Sequence, residues 1–208
     1  EGILILADGS VQEAAFINCK KLSGGLKVED PIYSTVRSSN GKRAFMDTGL
    51  TYLHLPHISS ISDDAFRNCV SLKGATDEKY KELFVDSISG HAFDGDILLH
   101  YDTIKSENIA GYAFQYCRNL GSNITILGRK DNDVITLGTI GEYSFYSCDQ
   151  LGTVTFDISL FNDYETIPTS YGMSIPQYAF AKTGLTGPLV IPPNIDEISQ
   201  YAFSNCPN

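Results

Sequence analysis

Five cysteines, four histidines and a few adjacent carboxylates are the residues of this 208-residue chain that could do chemistry. An ionised cysteine is a nucleophile, a redox partner or a soft-metal ligand. His54 and His57 could start a metal site, but a strand puts residues three apart on opposite faces, and no third ligand is adjacent in sequence. His91 and His100 have no such companion. Asp63 with Asp64, and Asp131 with Asp133, are paired carboxylates; they fall at a polar face and in an insertion, where solvated turn charges are the ordinary reading. The stretch DNDVIT from Asp131 to Thr136 misses the spacing of an EF-hand calcium loop. Asn123-Ile124-Thr125 is a glycosylation sequon that matters only in a eukaryotic secretory pathway. There is no Gly-rich phosphate loop, GxSxG elbow, HExxH or CxxC pair. These residues predict no catalytic centre, no metal and no cofactor.

The spacing of the cysteines says what they are for. Cys19, Cys69, Cys117, Cys148 and Cys206 each stand three residues after a Phe, and the same position holds Thr48, Thr183 and Asp96 in three further copies of the phrase. Thr matches Cys in size but not as a soft ligand or redox partner, so the shared property is volume in a tight turn. A ladder of small buried thiols is the main expectation. A Cys117–Cys148 bridge is the alternative, because only those two belong to adjacent repeats and a disulfide needs Cα atoms within about 7 Å. Cys206, in the last repeat, is the thiol expected to be exposed and reactive.

The phrase itself occurs eight times, at VQEAAF (to Phe16), NGKRAF (Phe45), ISDDAF (Phe66), ISGHAF (Phe93), IAGYAF (Phe114), IGEYSF (Phe145), IPQYAF (Phe180) and ISQYAF (Phe203). A small residue precedes every Phe, and Ile or Val stands five positions before it in all copies but the one with Asn40. Repetition at this period marks a solenoid, whose units bury their apolar faces only by stacking. After each Phe come a polar turn, a Leu and an alternating segment such as Leu53-His54-Leu55, a period of two that reads as a strand with one buried face. Before the Phe, apolar positions such as Ile140, Ser144 and Phe145 fall at helical spacing over about one turn. The predicted fold is therefore an α/β repeat solenoid, a ribbon of short parallel strands with short helices or 3₁₀ turns on the other side. Insertions near residues 29 to 40, 73 to 87, 97 to 108, 127 to 139 and 157 to 174 interrupt the period.

The unit I-x-x-x-[AS]-F-x-x-C-x-x-L-x-x-[ILV]-x-[ILV]-P, clearest at Ile61 to Leu72, Ile109 to Leu120 and Ile140 to Phe156, resembles the repeat of BspA-like leucine-rich-repeat proteins (LRR_5 type). AFMDTGLTYLHLP from Ala44 is similar to a shorter form of that repeat. The likeness covers nearly the whole chain, residues 1–208, as one leucine-rich-repeat domain of about eight repeats, expected to be cut short at one or both ends. It implies a bacterial protein, secreted or held at the cell surface, that adheres to host matrix proteins or to other cells.

A net charge of −10 disfavours nucleic acid and anionic lipid as partners, and the apolar run Ile3 to Ala7 is too short to span a membrane. What remains is the exposed side of the strand ribbon, where the residue between two apolar strand positions points away from the core. Lys27, His54, His100, Thr125, Thr155 and Val190 form that row and are the candidate partner-binding residues. The leading expectation is a non-enzymatic module that binds a protein; the alternative is a structural spacer displaying another domain.

Overall fold

A computed structural model describes residues 3–6, 11–28, 41–56, 58–76, 78, 81–121, 123–131, 134–157, 173–192 and 195–207. Eight coils, each centred on one Phe of the repeated phrase, stack along one axis. In chain order the strands are β1 (Ile3–Leu6), β2 (Gly24–Val28), β3 (Leu50–His54), β4 (Ile58–Ile61), β5 (Glu82–Ile88), β6 (Thr103–Ser106) and β7 (Asn108–Ile109). They continue as β8 (Asn123–Ile126), β9 (Gly128–Asp131), β10 (Val134–Leu137), β11 (Thr139–Ile140), β12 (Thr153–Phe156), β13 (Met173–Ile175) and β14 (Ile195–Ile198).

All pairings between coils are parallel, as a solenoid requires. β1, β2 and β3 form one sheet, and β11-β7-β5-β6-β8-β12 form another, with β4 also on β5. β5 joins two ladders: Glu82 to Phe84 pair with β6, while its second half pairs with β4 and β7. The stretches near 73 to 87 and 97 to 108, expected as insertions, thus supply strands β5 to β7. The insertion near 127 to 139 carries the antiparallel hairpin β9-β10. The insertion at 29 to 40 lies outside the described residues, as does that at 157 to 174 apart from Asp157, Met173 and Ser174 at its ends.

The helical side of the expected fold is not there: among the described residues no α-helix occurs, and the segment around each Phe is a run of tight turns. The hydrogen bonds show why helical spacing misled. Alternate N–H groups close i to i−3 turns, as from Ala113 to Ala110, Gln115 to Tyr112 and Cys117 to Phe114, which reproduces 3₁₀ spacing. The N–H groups between them leave the coil: Tyr112 donates to Glu142, Phe114 to Ser144 and Tyr116 to Tyr146 in the next coil. This alternation requires left-handed backbone two residues before and two after the Phe, with φ of 63° at Tyr112 and 62° at Tyr116. Each non-Gly residue there costs roughly 1–2 kcal/mol, which the cross-coil bonds and packing must offset. In five of the eight coils the second of these positions holds Asn18, Asp47, Asn68, Gly95 or Asn205, types that tolerate that backbone. Gly95 fits for a further reason, since a Cβ there would lie 2.6 Å from Asn68 Oδ1.

The core is a column of eight phenylalanines. Phe16, Phe45, Phe66, Phe93, Phe114, Phe145, Phe180 and Phe203 stack with ring centroids 5.2–5.4 Å apart and planes within 10°. Ala44, Ala65, Ala92, Ala113, Ser144 and Ala179 beside them are fully buried, so the residue before the Phe is small because the stacked coils leave it no room. Leu26, Leu53, Leu83, Ile104, Ile124 and Val154 close the strand side of the core.

Candidate functional site

The residues with reactive side chains are absorbed by the fold. Cys69, Cys117 and Cys148 are fully buried and all five cysteines are free, so the Cys117–Cys148 bridge is not formed. Each buried thiol donates to the Phe carbonyl of the preceding coil: Cys69 Sγ to Phe45 O at 3.0 Å, Cys117 to Phe93 at 3.0 Å and Cys148 to Phe114 at 3.1 Å. Cys206 is half-buried rather than exposed and donates to Phe180 O at 3.2 Å, while Thr183 Oγ1 reaches the same carbonyl at 2.8 Å. The position therefore selects for a small side chain that also donates a hydrogen bond, and Thr shares both properties. Burial, with Asp96 adding repulsion, pushes the Cys69 thiol up to about 12. Burial likewise raises Cys117 and Cys148, which keeps these sulfurs protonated and unreactive. Cys19, in the first coil, is the exposed thiol.

Asp96 takes the cysteine position of coil 4 and is fully buried. Its Oδ1 accepts from the Cys69 N–H at 2.7 Å, while Oδ2 finds no partner. Burial holds its carboxyl well above the usual range. Several other carboxylates and His91 have local partners. Asp63 accepts from the Gly90 N–H, Asp64 pairs with Arg67, and His91 pairs with Asp94 at 2.9 Å. His57 and Asp133 lie outside the described residues, and among the described residues no cluster of three His, Cys, Asp or Glu side chains could hold a metal.

The six strand-side candidates fall into two pairs and two outliers. Lys27 is in register with His54 across β2 and β3, and His54 Nε2 continues the row to Thr76 Oγ1 at 3.1 Å. Thr125 and Thr155 are in register across β8 and β12. The residue in register with Thr125 on the other side is Lys105, preceded by Phe84, so His100 is not in that row. His100 instead bridges Gly74 at the start of the ribbon and is exposed, with Nε2 3.3 Å from Asp102. Val190 follows a segment that forms no strand; it is 75% exposed and lines, with Thr155, Phe156 and Ile191, an apolar groove of about 160 Å³. The strand face of β5, β6, β8 and β12 is thus two outward rows, Glu82-Thr103-Asn123-Thr153 and Phe84-Lys105-Thr125-Thr155. Lys105 Nζ contacts Glu82 at 2.9 Å, and Thr153 donates to Asn123 at 2.7 Å. Sequence reading missed Lys105 and Phe84 because extra residues shift the alternation by a register that only pairing reveals.

A second feature of the surface was missed entirely. On the turn side, Tyr112, Tyr143, Tyr178 and Tyr201 stack with centroids 4.7–5.1 Å apart, and His91 extends the column at 4.7 Å. Tyr146 stands beside it, nearly perpendicular to Tyr116 and Tyr178. The signal was in the sequence: the last four copies, apart from the Phe register itself, all carry Tyr two residues before the Phe.

No curated protein and no solved structure matches this chain. Six copies of the BspA type leucine-rich repeat region match it, over residues 9–121, 38–164 and 173–208. With parallel strands in register, a repeated Phe column and that match over most of its length, the chain belongs to the BspA type leucine-rich-repeat family.

Proposed function

We propose that this chain is a non-enzymatic binding module, exported to or displayed at a bacterial surface, that holds a protein partner such as a host matrix protein or a protein of another cell. Leucine-rich repeats are commonly protein-interaction modules, the BspA-like family is non-enzymatic, and its members are typically exported or surface proteins. The observation that carries the reading is the pair of outward rows on β5, β6, β8 and β12, eight side chains of mixed polarity at fixed strand spacing. A broad surface of mixed polarity suits a protein contact better than a small ligand, which needs a deep concave site. Thr125 and Thr155 lie in these rows, with Val190 and the apolar groove beside Thr155, while Lys27 and His54 extend the proposed face onto the separate sheet of β1, β2 and β3 and His100 lies outside the rows.

A spacer role is the second reading. It draws support from the polar side chains on that face already bonding one another, as Lys105 with Glu82 and Thr153 with Asn123. The test is binding of the purified chain to a panel of matrix proteins that includes fibronectin and fibrinogen, beside a variant with His54→Glu, Thr125→Glu and Thr155→Glu. Saturable binding lost in the variant supports the strand face. Binding that survives moves the contact elsewhere, and absence of binding throughout leaves the spacer reading in front.

A further inference from the structure

The turn face of coils 5 to 7 carries a constellation that neither the repeat nor the strand-face reading requires. Tyr116, Tyr143, Tyr146 and Tyr178 come from three successive coils. Tyr146 lies 5.7 Å from Tyr116 at 86° and 6.2 Å from Tyr178 at 78°, and it tilts 54° from Tyr143 at 5.6 Å. Rings held near right angles form a corner, and Tyr143, Tyr146 and Tyr178 are each partly exposed there, unlike the parallel Phe column, where each ring covers its neighbour. Tyr116 is 41% exposed, so the corner is reached from solvent.

The corner already holds a cation. Lys182 Nζ lies 5.1 Å from the Tyr146 centroid, and the Tyr146 hydroxyl is the main cause that raises its pKa. Two exposed carboxylates sit at the rim. Glu142 Oε1 accepts from the Tyr112 hydroxyl at 3.3 Å, and Asp149 adds its charge to the field at Lys182. The whole chain carries −10, so a cation arriving at this face is attracted at long range as well as at contact. Perpendicular aromatic rings with nearby carboxylates are what an ammonium group seeks: ring quadrupoles attract it and acids compensate its charge.

We propose that this aromatic corner is a second interaction site, on a different side of the molecule from the strand rows, which takes lysine side chains of a partner protein, with Lys182 as its resident intramolecular occupant. The incoming ammonium displaces Lys182 from Tyr146 and pairs with Glu142 or Asp149. The site stands independently of the strand face, so a negative matrix-protein panel leaves it intact.

The test uses the full chain with an oligolysine peptide and an uncharged norleucine peptide of equal length, read by calorimetry and by the tyrosine ring resonances. Oligolysine binds and the norleucine peptide does not. Tyr146→Leu weakens oligolysine about threefold to fivefold, the worth of one exposed cation–π contact, while Tyr146→Phe, which keeps the ring, retains most of the affinity. Lys182→Met tightens binding, whereas Lys105→Met, which removes the same charge from the strand face, tightens it distinctly less. Circular dichroism of each variant checks the fold. Absence of oligolysine binding, equal affinity in Tyr146→Leu and wild type, or equal gains from Lys182→Met and Lys105→Met would each overturn the site; the last result would leave only general charge attraction.

Discussion

The strand side and the turn side of this solenoid solve the same problem in different ways. Both join neighbouring coils through parallel backbone ladders, yet on the strand side the outward residue is free to vary, as Glu82, Thr103, Asn123 and Thr153 show. On the turn side the choice is narrow: a small residue before the Phe, the Phe, and a Cys or Thr three residues later in every copy but that of Asp96. The difference teaches that a repeat's recognisable residues are those that make the tight turns fit.

That contrast can be broken most severely at the Phe column. Phe114 is fully buried between Phe93 and Phe145, so Phe114→Ala should cost about 3–5 kcal/mol in chemical denaturation, from lost burial and the cavity left behind. A loss under about 1 kcal/mol would mean the column is decoration and the ladders alone hold the coils. Next in size is the irregular coil. Asp96→Cys restores the residue of the neighbouring coils and removes a buried oxygen without a partner, so it should stabilise the chain at neutral pH by on the order of 1–3 kcal/mol. The pH dependence sharpens this. The carboxyl of Asp96 is raised in the fold, chiefly by burial, so folding favours its proton. Its contribution is complete below the ordinary carboxylate value and falls as pH rises through the folded one. Stability of the native chain should therefore decline from weakly acidic towards neutral pH, and Asp96→Cys should flatten that decline.

Smaller still is the thiol position. Cys117→Ala removes the bond to Phe93 O and should cost about 1–2 kcal/mol. In the native state a thiol reagent should label Cys19 first and Cys206 more slowly, with Cys69, Cys117 and Cys148 reacting only on unfolding. At alkaline pH the raised Cys69 thiol acts in the same sense as Asp96: its contribution is whole below the ordinary thiol value and fades as pH climbs towards about 12. The smallest effect belongs to the strand face, where Thr125→Ala should change stability by less than about 0.5 kcal/mol. A larger loss there would place structural weight on the surface read as free to bind.

What the sequence disclosed follows the same division. The eight-fold phrase, the parallel stack and the burial of Cys69, Cys117 and Cys148 were legible because they depend on identity at fixed positions, and stacking copies that identity; Cys19 and Cys206, in the first and last copies, fall outside the buried ladder. The turn conformation was not, because apolar residues at helical spacing satisfy two successive tight turns as well as one helical turn. The asparagine, aspartate or glycine two residues after Phe16, Phe45, Phe66, Phe93 and Phe203 was the cue against a helix. The strand rows were legible only in part. Lys27 with His54, and Thr125 with Thr155, came out adjacent, but the extra residues of coils 3 and 4 moved Lys105 into the place expected of His100. The tyrosine corner was not legible because Tyr116 and Tyr146 hold different places in their repeats, two residues and one residue after the Phe, and only the stacking of coils brings them together.

The cross-coil bonds of the turn side have one further property. Those made by the Phe and by the residues two before and two after it run the same way among the described residues, from an N–H of one coil to a C=O of the next, as from Phe45 to Ala65, Phe66 to Ala92 and Phe93 to Ala113. In a β-sheet successive groups point in opposite directions and their dipoles largely cancel. Here they add, coil upon coil, into a macroscopic electric polarity along the stack, with its positive pole towards higher residue numbers, opposite in sense to that of an α-helix. This band of turns thus carries a dipole of its own, and each added coil lengthens it.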